Sequence, residues 1–311
     1  MLLTRAQQID TLYGAAQDAG LQVAKGEIAW RDELVELNGL KIHYLDWCTA
    51  GEPPLLLLHG GMQTAHSWDL TAVALKRRFH VVAMDLRGHG DSDWSERGDY
   101  SHHTHASDVA GLVEHLGWDR LALIGLSLGG LTAMRFASEH ADQLVALVVV
   151  DVGPELNQSG VGRIINFTGG PAELDSVDDF IRRAVEYNPR RKPEQLRYSL
   201  THNLRRLPNG KYAWKYDRRI GQRRDSTGES APVQFDDMWE RLRSISCPTL
   251  VVRGADSDVF AEETGRRMAE TIPDCRFVTI PDASHTVPQD NAAGFLEVLQ
   301  AFLSEAGLPA G

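Results

Sequence analysis

Cysteine is scarce in this sequence, since the 311 residues include only three, Cys48, Cys247 and Cys275, at wide spacing. The odd number, and the lack of a CxxC or mixed Cys/His spacing, argue against a disulfide framework and against a cysteine metal centre. A chain of this length buries most of its apolar surface without such cross-links. A reducing, cytoplasmic setting is therefore the expected location.

Long apolar runs are also missing, because none approaches the roughly 18 residues that span a bilayer. We therefore expect no membrane partner. Residues 1–20 carry several polar and charged side chains and lack the apolar core of a signal peptide. They predict an amphipathic helix with Ile9, Leu12 and Tyr13 on one side, within an N-terminal extension of residues 1–30. Two interpretations stay open for this helix, a packing arm on the domain surface and a dimer contact.

Positive charge is in the minority, with 32 Lys and Arg against 43 Asp and Glu and a net charge of -11. Nucleic-acid binding needs clustered basic side chains, so no nucleic-acid partner is expected. Residues 181–224 nevertheless hold 14 Lys or Arg and 3 Asp or Glu. Either these cations dock on acidic surface or stay solvated, or they attract an anionic substrate such as an ester or lactone with a carboxylate.

What the chain does contain is a series of short apolar runs that do not alternate with polar residues. Such runs are typical of parallel strands buried on both faces, and helical patterns between them favour right-handed βαβ units. The runs are residues 55–58, 81–84, 121–126 and 144–150, and strand patterns resume later in the chain at 249–252 and 276–280. Two further segments, 33–37 and 40–46, flank Asn38 and Gly39, which predict a tight hairpin turn.

The alternation of strands and helices stops after Asp151. Residues 153–243 show no buried strand and are too long for a loop, so they must fold as a unit. Helix starts at Ser176 and Pro193 predict a helical cap. This cap would be inserted between the two parts of a catalytic domain, residues 31–152 and 244–311.

A Gly-Leu-Ser-Leu-Gly segment, residues 125–129, lies between a predicted strand and a helical pattern. A serine at such a sharp turn exposes its hydroxyl, and flanking glycines leave room for the strained backbone. The sequence therefore predicts Ser127 as the nucleophile of an acyl transfer, which requires a positioned base.

A base and an acid follow the last two predicted strands. His285 lies on the loop after residues 276–280, and Asp258 follows the strand before it. A carboxylate is needed to fix the tautomer of such a histidine, and Asp258 is predicted to supply it. The order Ser, Asp, His is the order that α/β hydrolases use.

These motifs resemble the α/β-hydrolase superfamily, in its serine esterase and lactonase branch with a helical cap. The resemblance covers residues 33–303 outside the cap and implies an α/β fold, with a mostly parallel eight-stranded sheet and helices on both faces. The segment His-Gly-Gly-Met at 59–62 implies an oxyanion hole from the amides of Gly61 and Leu128, with Met62 as the alternative. The turn at 85–92 implies a structural role, in which His89 braces the turn.

The resemblance leaves alternatives for the acid. Many relatives carry it three residues after the glycine that ends the strand, where this chain has Ser257. Relatives that read Arg-Gly-x-x-Ser-Asp resemble this sequence best, which favours Asp258. Asp256, on the other side of Ser257, is an alternative. Asp151 occupies a third position, just after the sixth strand, that some relatives use.

The implied activity is hydrolysis of an ester or lactone of a small molecule through an acyl-enzyme, with no metal, nucleotide or organic cofactor. A C–C bond hydrolase is the alternative, disfavoured by Leu126 beside the nucleophile and by the lack of a Trp after His285. A second alternative, from another class, is a non-catalytic binder of small molecules. An acyl-enzyme burst separates a serine hydrolase from such a binder.

Two tryptophans and a histidine-rich segment could also have a role in binding. Trp68 and Trp214 are candidate lining residues of a substrate pocket. His102 and His105 share a helix face, but no carboxylate or cysteine nearby in sequence completes a ligand set. We interpret this histidine-rich segment as a solvated helix start.

Overall fold

The computed structural model of the protein describes residues 1–47, 52–189, 191–220 and 237–308. Cys48 and three cations of the basic segment, Arg190, Arg223 and Arg224, lie outside the described residues. In chain order the strands are β1 (Arg31–Leu37), β2 (Leu40–Asp46), β3 (Pro54–Leu58), β4 (His80–Met84), β5 (Leu121–Leu126), β6 (Leu144–Val150), β7 (Glu173–Leu174), β8 (Leu204–Arg206), β9 (Tyr212–Trp214), β10 (Thr249–Gly254) and β11 (Cys275–Ile280).

Helices follow or connect most of these strands. They are α1 (Arg5–Asp18), α2 (Asp69–Leu75), α3 (His102–His115), α4 (Leu128–Glu139), α5 (Gln158–Thr168), α6 (Val177–Tyr187), α7 (Pro193–Asn203), α8 (Met238–Leu242), α9 (Glu262–Thr271), α10 (Val287–Asp290) and α11 (Ala292–Glu305). In the part of the chain that the structure describes, no helix has both the length and the apolar sequence that a membrane crossing requires. The cytoplasmic location stays a prediction.

One sheet of eight strands organises the molecule, in the order β1-β2-β4-β3-β5-β6-β10-β11. β2 runs antiparallel to β1 and β4, and every other neighbouring pair is parallel. The mostly parallel eight-stranded sheet is confirmed. Asn38 and Gly39 in the β1–β2 turn have positive φ angles of 51° and 77°, as a type I′ hairpin turn requires.

The uninterrupted apolar runs arise because both faces of the sheet are buried. Along β3, Leu55 and Leu57 join one apolar cluster with α1, α2 and α11, while Leu56 and Leu58 join another with α3, α4 and α9. Successive side chains of a strand point to opposite faces, so every position of β3 needs an apolar residue. Burial of one such side chain contributes about 1.5–3 kcal/mol.

A cap, residues 153–220 of the described chain, is inserted after β6, and we call the remaining α/β domain the body. The cap has its own apolar cluster, which includes Phe180 and Leu200. It contains α5, α6 and α7, and also a three-stranded antiparallel sheet β7-β9-β8. The prediction of a wholly helical cap is therefore wrong, because strands of two or three residues leave no periodic pattern. Helix α8, placed in the cap by sequence, buries Met238 and Leu242 in the cluster of the body.

The N-terminal helix α1 contacts both parts. Its Leu12 and Ala16 are buried in the core of the body, and Arg5 lies 3.3 Å from the centroid of the Trp30 ring. The amide of Leu3 donates to Oγ1 of Thr201 on α7, at 3.1 Å. The helix therefore packs on the body and on the cap of its own chain.

Candidate active site

Ser127 occupies the turn between β5 and α4 in a conformation that L-residues rarely adopt, with φ 52° and ψ -115°. The glycines make this turn possible. A Cβ on Gly125 would lie 2.2 Å from the carbonyl oxygen of Gly129, and one on Gly129 would lie 2.2 Å from that of Leu58. The amide of Ser127 donates to the carbonyl of Val150 at 2.9 Å, which fixes the turn against β6. Strain held by surrounding structure in this way is typical of a functional position.

A chain of two hydrogen bonds leads from this serine to a buried carboxylate. Nε2 of His285 lies 3.0 Å from Oγ of Ser127, and Nδ1 lies 2.8 Å from Oδ2 of Asp151. Asp151 has no exposed side-chain surface. Because an ionised carboxylate only accepts, Nδ1 carries the proton and Nε2 is left to accept from the serine hydroxyl. This is the arrangement of nucleophile, base and orienting acid that acyl transfer needs.

The prediction that Asp258 orients the histidine is wrong. Its carboxylate lies 3.0 Å from Nη1 of Arg163 on α5, and 37% of its side chain is exposed. Asp256, on the same loop, is exposed as well. Between them the chain turns Ser257 inward, and the hydroxyl of this serine donates to Asp151. Asp151 reaches the histidine because β6 lies between β5 and β10 in the sheet.

Asp151 is held by three groups besides His285. Its Oδ1 accepts from the amide of Gly254 at 2.9 Å, and its Oδ2 accepts from the hydroxyl of Ser257 at 2.5 Å. Its own amide donates to the carbonyl of Val252 at 2.7 Å. The position where many relatives carry the acid thus holds a serine that stabilises an acid on the neighbouring strand. These bonds satisfy a buried charge that would otherwise be costly.

Three backbone amides of cavity-lining residues near Ser127 have no acceptor among the described residues. They belong to Gly61, Met62 and Leu128, which all line the cavity. The amide of Gly60 is not available, because it donates to the side chain of Gln63 at 3.0 Å. Both predicted alternatives, Gly61 and Met62, therefore remain candidates for the second donor of an oxyanion hole.

The buried His59 holds the backbone beside these amides. Nδ1 of His59 donates to the carbonyl of Gly60 at 2.7 Å, and its Nε2 accepts from the amide of Leu86 at 3.0 Å. Burial lowers the pKa of His59, so its imidazole is neutral. Its ring contacts that of His89, whose pKa burial lowers to about 3. Sequence reasoning named His59 only as part of a motif and missed its bracing role.

A cavity of about 630 Å³ opens at Ser127 and His285, between the body and the cap. Trp214 lies in its wall and packs edge-on against Phe180, with ring centroids 4.8 Å apart. The prediction for Trp68 is wrong, because this residue is fully buried against Phe295 and does not line the cavity. Most of the wall is apolar.

The cavity wall contains Arg191, which forms no ion pair with any other described residue. Arg191 lines the cavity, and its buried Nε has no hydrogen-bond partner. Burial lowers its pKa, and the charge of Asp290 opposes that shift. The carboxylate of Asp290 already accepts from Ser284 and Thr286. The guanidinium nevertheless stays charged at neutral pH, because arginine does not lose its proton in proteins.

The histidine-rich segment is the start of α3, with Ser101 as its N-cap. His103 is exposed, but His105 is completely buried, so the interpretation of a wholly solvated segment is wrong for His105. Neither of the two metal-ligand groupings found in the described residues includes a histidine of this segment.

Comparison with known proteins agrees with the fold. The family model described as "alpha/beta hydrolase fold" matches residues 53–292, and the chain belongs to this family. It is 31% identical over 310 residues to the esterase Rv0045c of Mycobacterium tuberculosis, covering 97% of each chain. It is 28% identical to the 3-hydroxybutyrate-oligomer hydrolase of Cupriavidus necator, over 79% of this chain and 87% of that protein.

Solved structures of other proteins show the same fold. The crystal structure of esterase Rv0045c matches with a TM-score of 0.78 at 29% identity, covering 97% of this chain and 99% of that one. An α/β hydrolase from Novosphingobium aromaticivorans matches with a TM-score of 0.75 at 25% identity, over 88% and 98%. In fold and family the protein is an α/β hydrolase, and it is similar to proteins named as esterases and hydrolases.

Proposed function

We propose that the protein hydrolyses carboxylic esters or lactones of small molecules through an acyl-enzyme on Ser127. His285 acts as the base, and Asp151 orients it. The observation that carries this assignment is the pair of hydrogen bonds, 3.0 Å and 2.8 Å, that joins the three side chains at the floor of the cavity.

The reaction proceeds in two steps, acylation of Ser127 and hydrolysis of the acyl-enzyme. Nε2 of His285 takes the hydroxyl proton of Ser127 while Oγ attacks the ester carbonyl, and the amide of Leu128 with that of Gly61 or Met62 donates to the oxyanion. Each such donor stabilises the transition state by about 3 kcal/mol. The imidazolium then gives its proton to the leaving alkoxide. Water, deprotonated by His285, cleaves the acyl-enzyme by the same route and releases the acid.

Hydrolysis of p-nitrophenyl acetate and butyrate tests this proposal. The wild-type protein should turn over at least one of these esters with an acyl-enzyme detectable by mass spectrometry, and Ser127→Ala should abolish both signals. Ser138→Ala, in the same helix α4 but bonded only to the carbonyl of Arg135, is the matched control. If wild type hydrolyses neither ester and forms no acyl-enzyme, the proposal fails, and the C–C hydrolase and binding-protein alternatives take its place.

We further infer that the preferred substrate carries an anionic group. Among the described residues Arg191 forms no ion pair and lies in the wall of a mostly apolar cavity, whereas several other cations of the basic segment are paired. Lys215 pairs with Asp91 of the body, and Arg197 pairs with Asp178 of the cap. A carboxylate on the substrate would pair with the planar guanidinium and offset the cost of burying it.

Paired substrates test this inference. kcat/KM for the p-nitrophenyl monoester of glutaric acid should fall about 100-fold in Arg191→Met, while kcat/KM for the butyrate ester should change little. Arg197→Met is the matched control. High salt should lower the rate for the anionic ester more than for the neutral one. An equal response of both esters to Arg191→Met and to salt would rule out the anionic substrate and leave the hydrolase assignment intact.

A further inference from the structure

A second cluster of polar side chains lies where α7 of the cap contacts the body, outside the cavity lining. His66, in the 3-10 turn Ala65–Trp68, and Asp69, at the start of α2, come from the body. Tyr198 and His202 come from α7, four residues apart and hence on one face of that helix. Nδ1 of His66 lies 2.8 Å from Oδ2 of Asp69, which also accepts from the hydroxyl of Tyr198. The cluster therefore joins the cap to the body.

Two atoms of this cluster are buried without a hydrogen-bond partner among the described residues. They are Oδ1 of Asp69, a residue that is 1% exposed, and Nε2 of His202, a residue that is 8% exposed. Buried polar atoms in folded proteins are nearly always satisfied. Both atoms are therefore available to a bound ligand.

The composition of the cluster selects the kind of ligand. His66, Asp69 and His202 each offer one ligand atom, and these atoms lie within 4.8 Å of one another. Two imidazoles and one carboxylate suit zinc and neighbouring transition metals. Metal–ligand distances of about 2.0–2.2 Å place the ligands of one ion roughly 3.4 Å apart. In the structure the rings of His66 and His202 stack with their centroids 3.5 Å apart, so the two imidazoles must turn apart to direct one nitrogen each at a common ion.

A metal binds a deprotonated imidazole nitrogen. Nε2 of His202 has no hydrogen-bond partner among the described residues that an ion would have to displace. His66 is the most accessible of the three, with 11% of its side chain exposed, and gives an ion a route from solvent.

We propose that His66, Asp69 and His202 bind one divalent transition-metal ion of the zinc or cobalt type, which fastens α7 of the cap to the body. The second metal-like grouping, His43 with Asp85 and Asp91, does not share this feature. Both oxygens of Asp85 are occupied, by the amides of Ala65 and Asp91 and by His43. The site is independent of the hydrolytic reaction, so its test does not rely on activity.

Cobalt(II) chloride is the probe, added to EDTA-treated protein in a His285→Ala background so that the active-site imidazole cannot bind it. Binding is followed by equilibrium dialysis and by the visible absorption of the ion. We expect one cobalt ion per chain and a rise in Tm on saturation. His202→Gln and Asp69→Asn should each weaken binding about 10-fold or more. His103→Gln, which removes an exposed histidine of α3, should not.

Folding of each variant is checked by its Tm without metal. If either ligand variant does not fold, X-ray absorption of the cobalt-loaded His285→Ala protein decides, because the site requires two imidazole nitrogens on the ion. No saturable binding in the His285→Ala protein would overturn the proposal. Equal affinities in the His202→Gln and His103→Gln variants, or an ion without imidazole ligands, would do the same.

Discussion

Asp151 and Asp258 differ in what surrounds each carboxylate, and a matched pair of substitutions makes this difference measurable. Asp151→Asn should lower kcat/KM for p-nitrophenyl butyrate about 10³–10⁴-fold, because the amide would hold His285 in the wrong tautomer. Asp258→Asn removes only a partly exposed ion pair with Arg163 and should change kcat/KM less than about threefold. A larger loss in Asp258→Asn than in Asp151→Asn would contradict the assignment.

Ser257 offers a second test at the scale of single residues. Ser257→Ala removes one hydrogen bond from the buried oxygen of Asp151 that contacts His285. We expect kcat to fall about 10-fold, since a hydrogen bond to a charged group is worth about 1.5–3 kcal/mol, while KM stays nearly unchanged. Ser304→Ala, on the surface of α11, is the control. A change confined to KM would show that Ser257 does not act through the acid.

Sequence reasoning found Ser127 and His285 because each follows a strand within a local motif. It named Asp151 as an alternative but preferred Asp258. The choice depends on which side chain after β10 turns inward, and the structure turns Ser257 rather than its acidic neighbours. That orientation is set by contacts with a different strand, β6, so no local pattern records it.

In the turn that holds Ser127, strand β5 and helix α4 approach each other closely. A Cβ on Gly125 would meet three backbone atoms of α4 within 2.6 Å, so Gly125→Ala should lower the free energy of unfolding by about 3 kcal/mol or more. Gly162→Ala is the control, because a Cβ there meets nothing within 4 Å. In helix α5 that change should stabilise by about 0.5–1 kcal/mol.

Urea unfolding of the two glycine variants measures the difference. A wild-type denaturation midpoint in Gly125→Ala would contradict the close approach of the two elements. At this scale the sequence predicted the central strands β3, β4, β5 and β6 well, because each supplies four or more adjacent apolar residues. It could not predict β7, β8 and β9, whose two or three residues are specified by contacts within the cap.

At the scale of the whole molecule, some ion pairs join different parts of the fold. The sequence showed a basic segment in an acidic chain, but not where each cation goes. Lys215 lies 2.6 Å from Asp91, which links the cap to the body, whereas Arg191 enters the cavity wall. Pairing of this kind depends on tertiary contacts, so the overall charge count alone left both explanations of the basic segment open.

One buried pair couples the stability of the whole molecule to pH. Nδ1 of His43 lies 2.7 Å from Oδ2 of Asp85, and its Nε2 lies 3.4 Å from Asp32. Burial by itself lowers the pKa of His43, but hydrogen bonds to Asp32 and Asp85 outweigh burial and raise that pKa to about 9. The unfolded chain has the ordinary value near 6.5. The stabilisation by protonated His43 is therefore complete below about pH 6.5 and is lost as pH rises through about 9.

His43→Gln removes this contribution and should cost more stability at pH 6 than at pH 9.5. From a raised pKa of this size, the two costs should differ by up to about 3 kcal/mol. Urea unfolding of wild type and variant at both pH values measures this, and other titrating groups cancel in the comparison. His103→Gln, at an exposed position, should show no such change with pH. An equal cost of His43→Gln at both pH values would mean that the buried pair is not ionised in the folded protein.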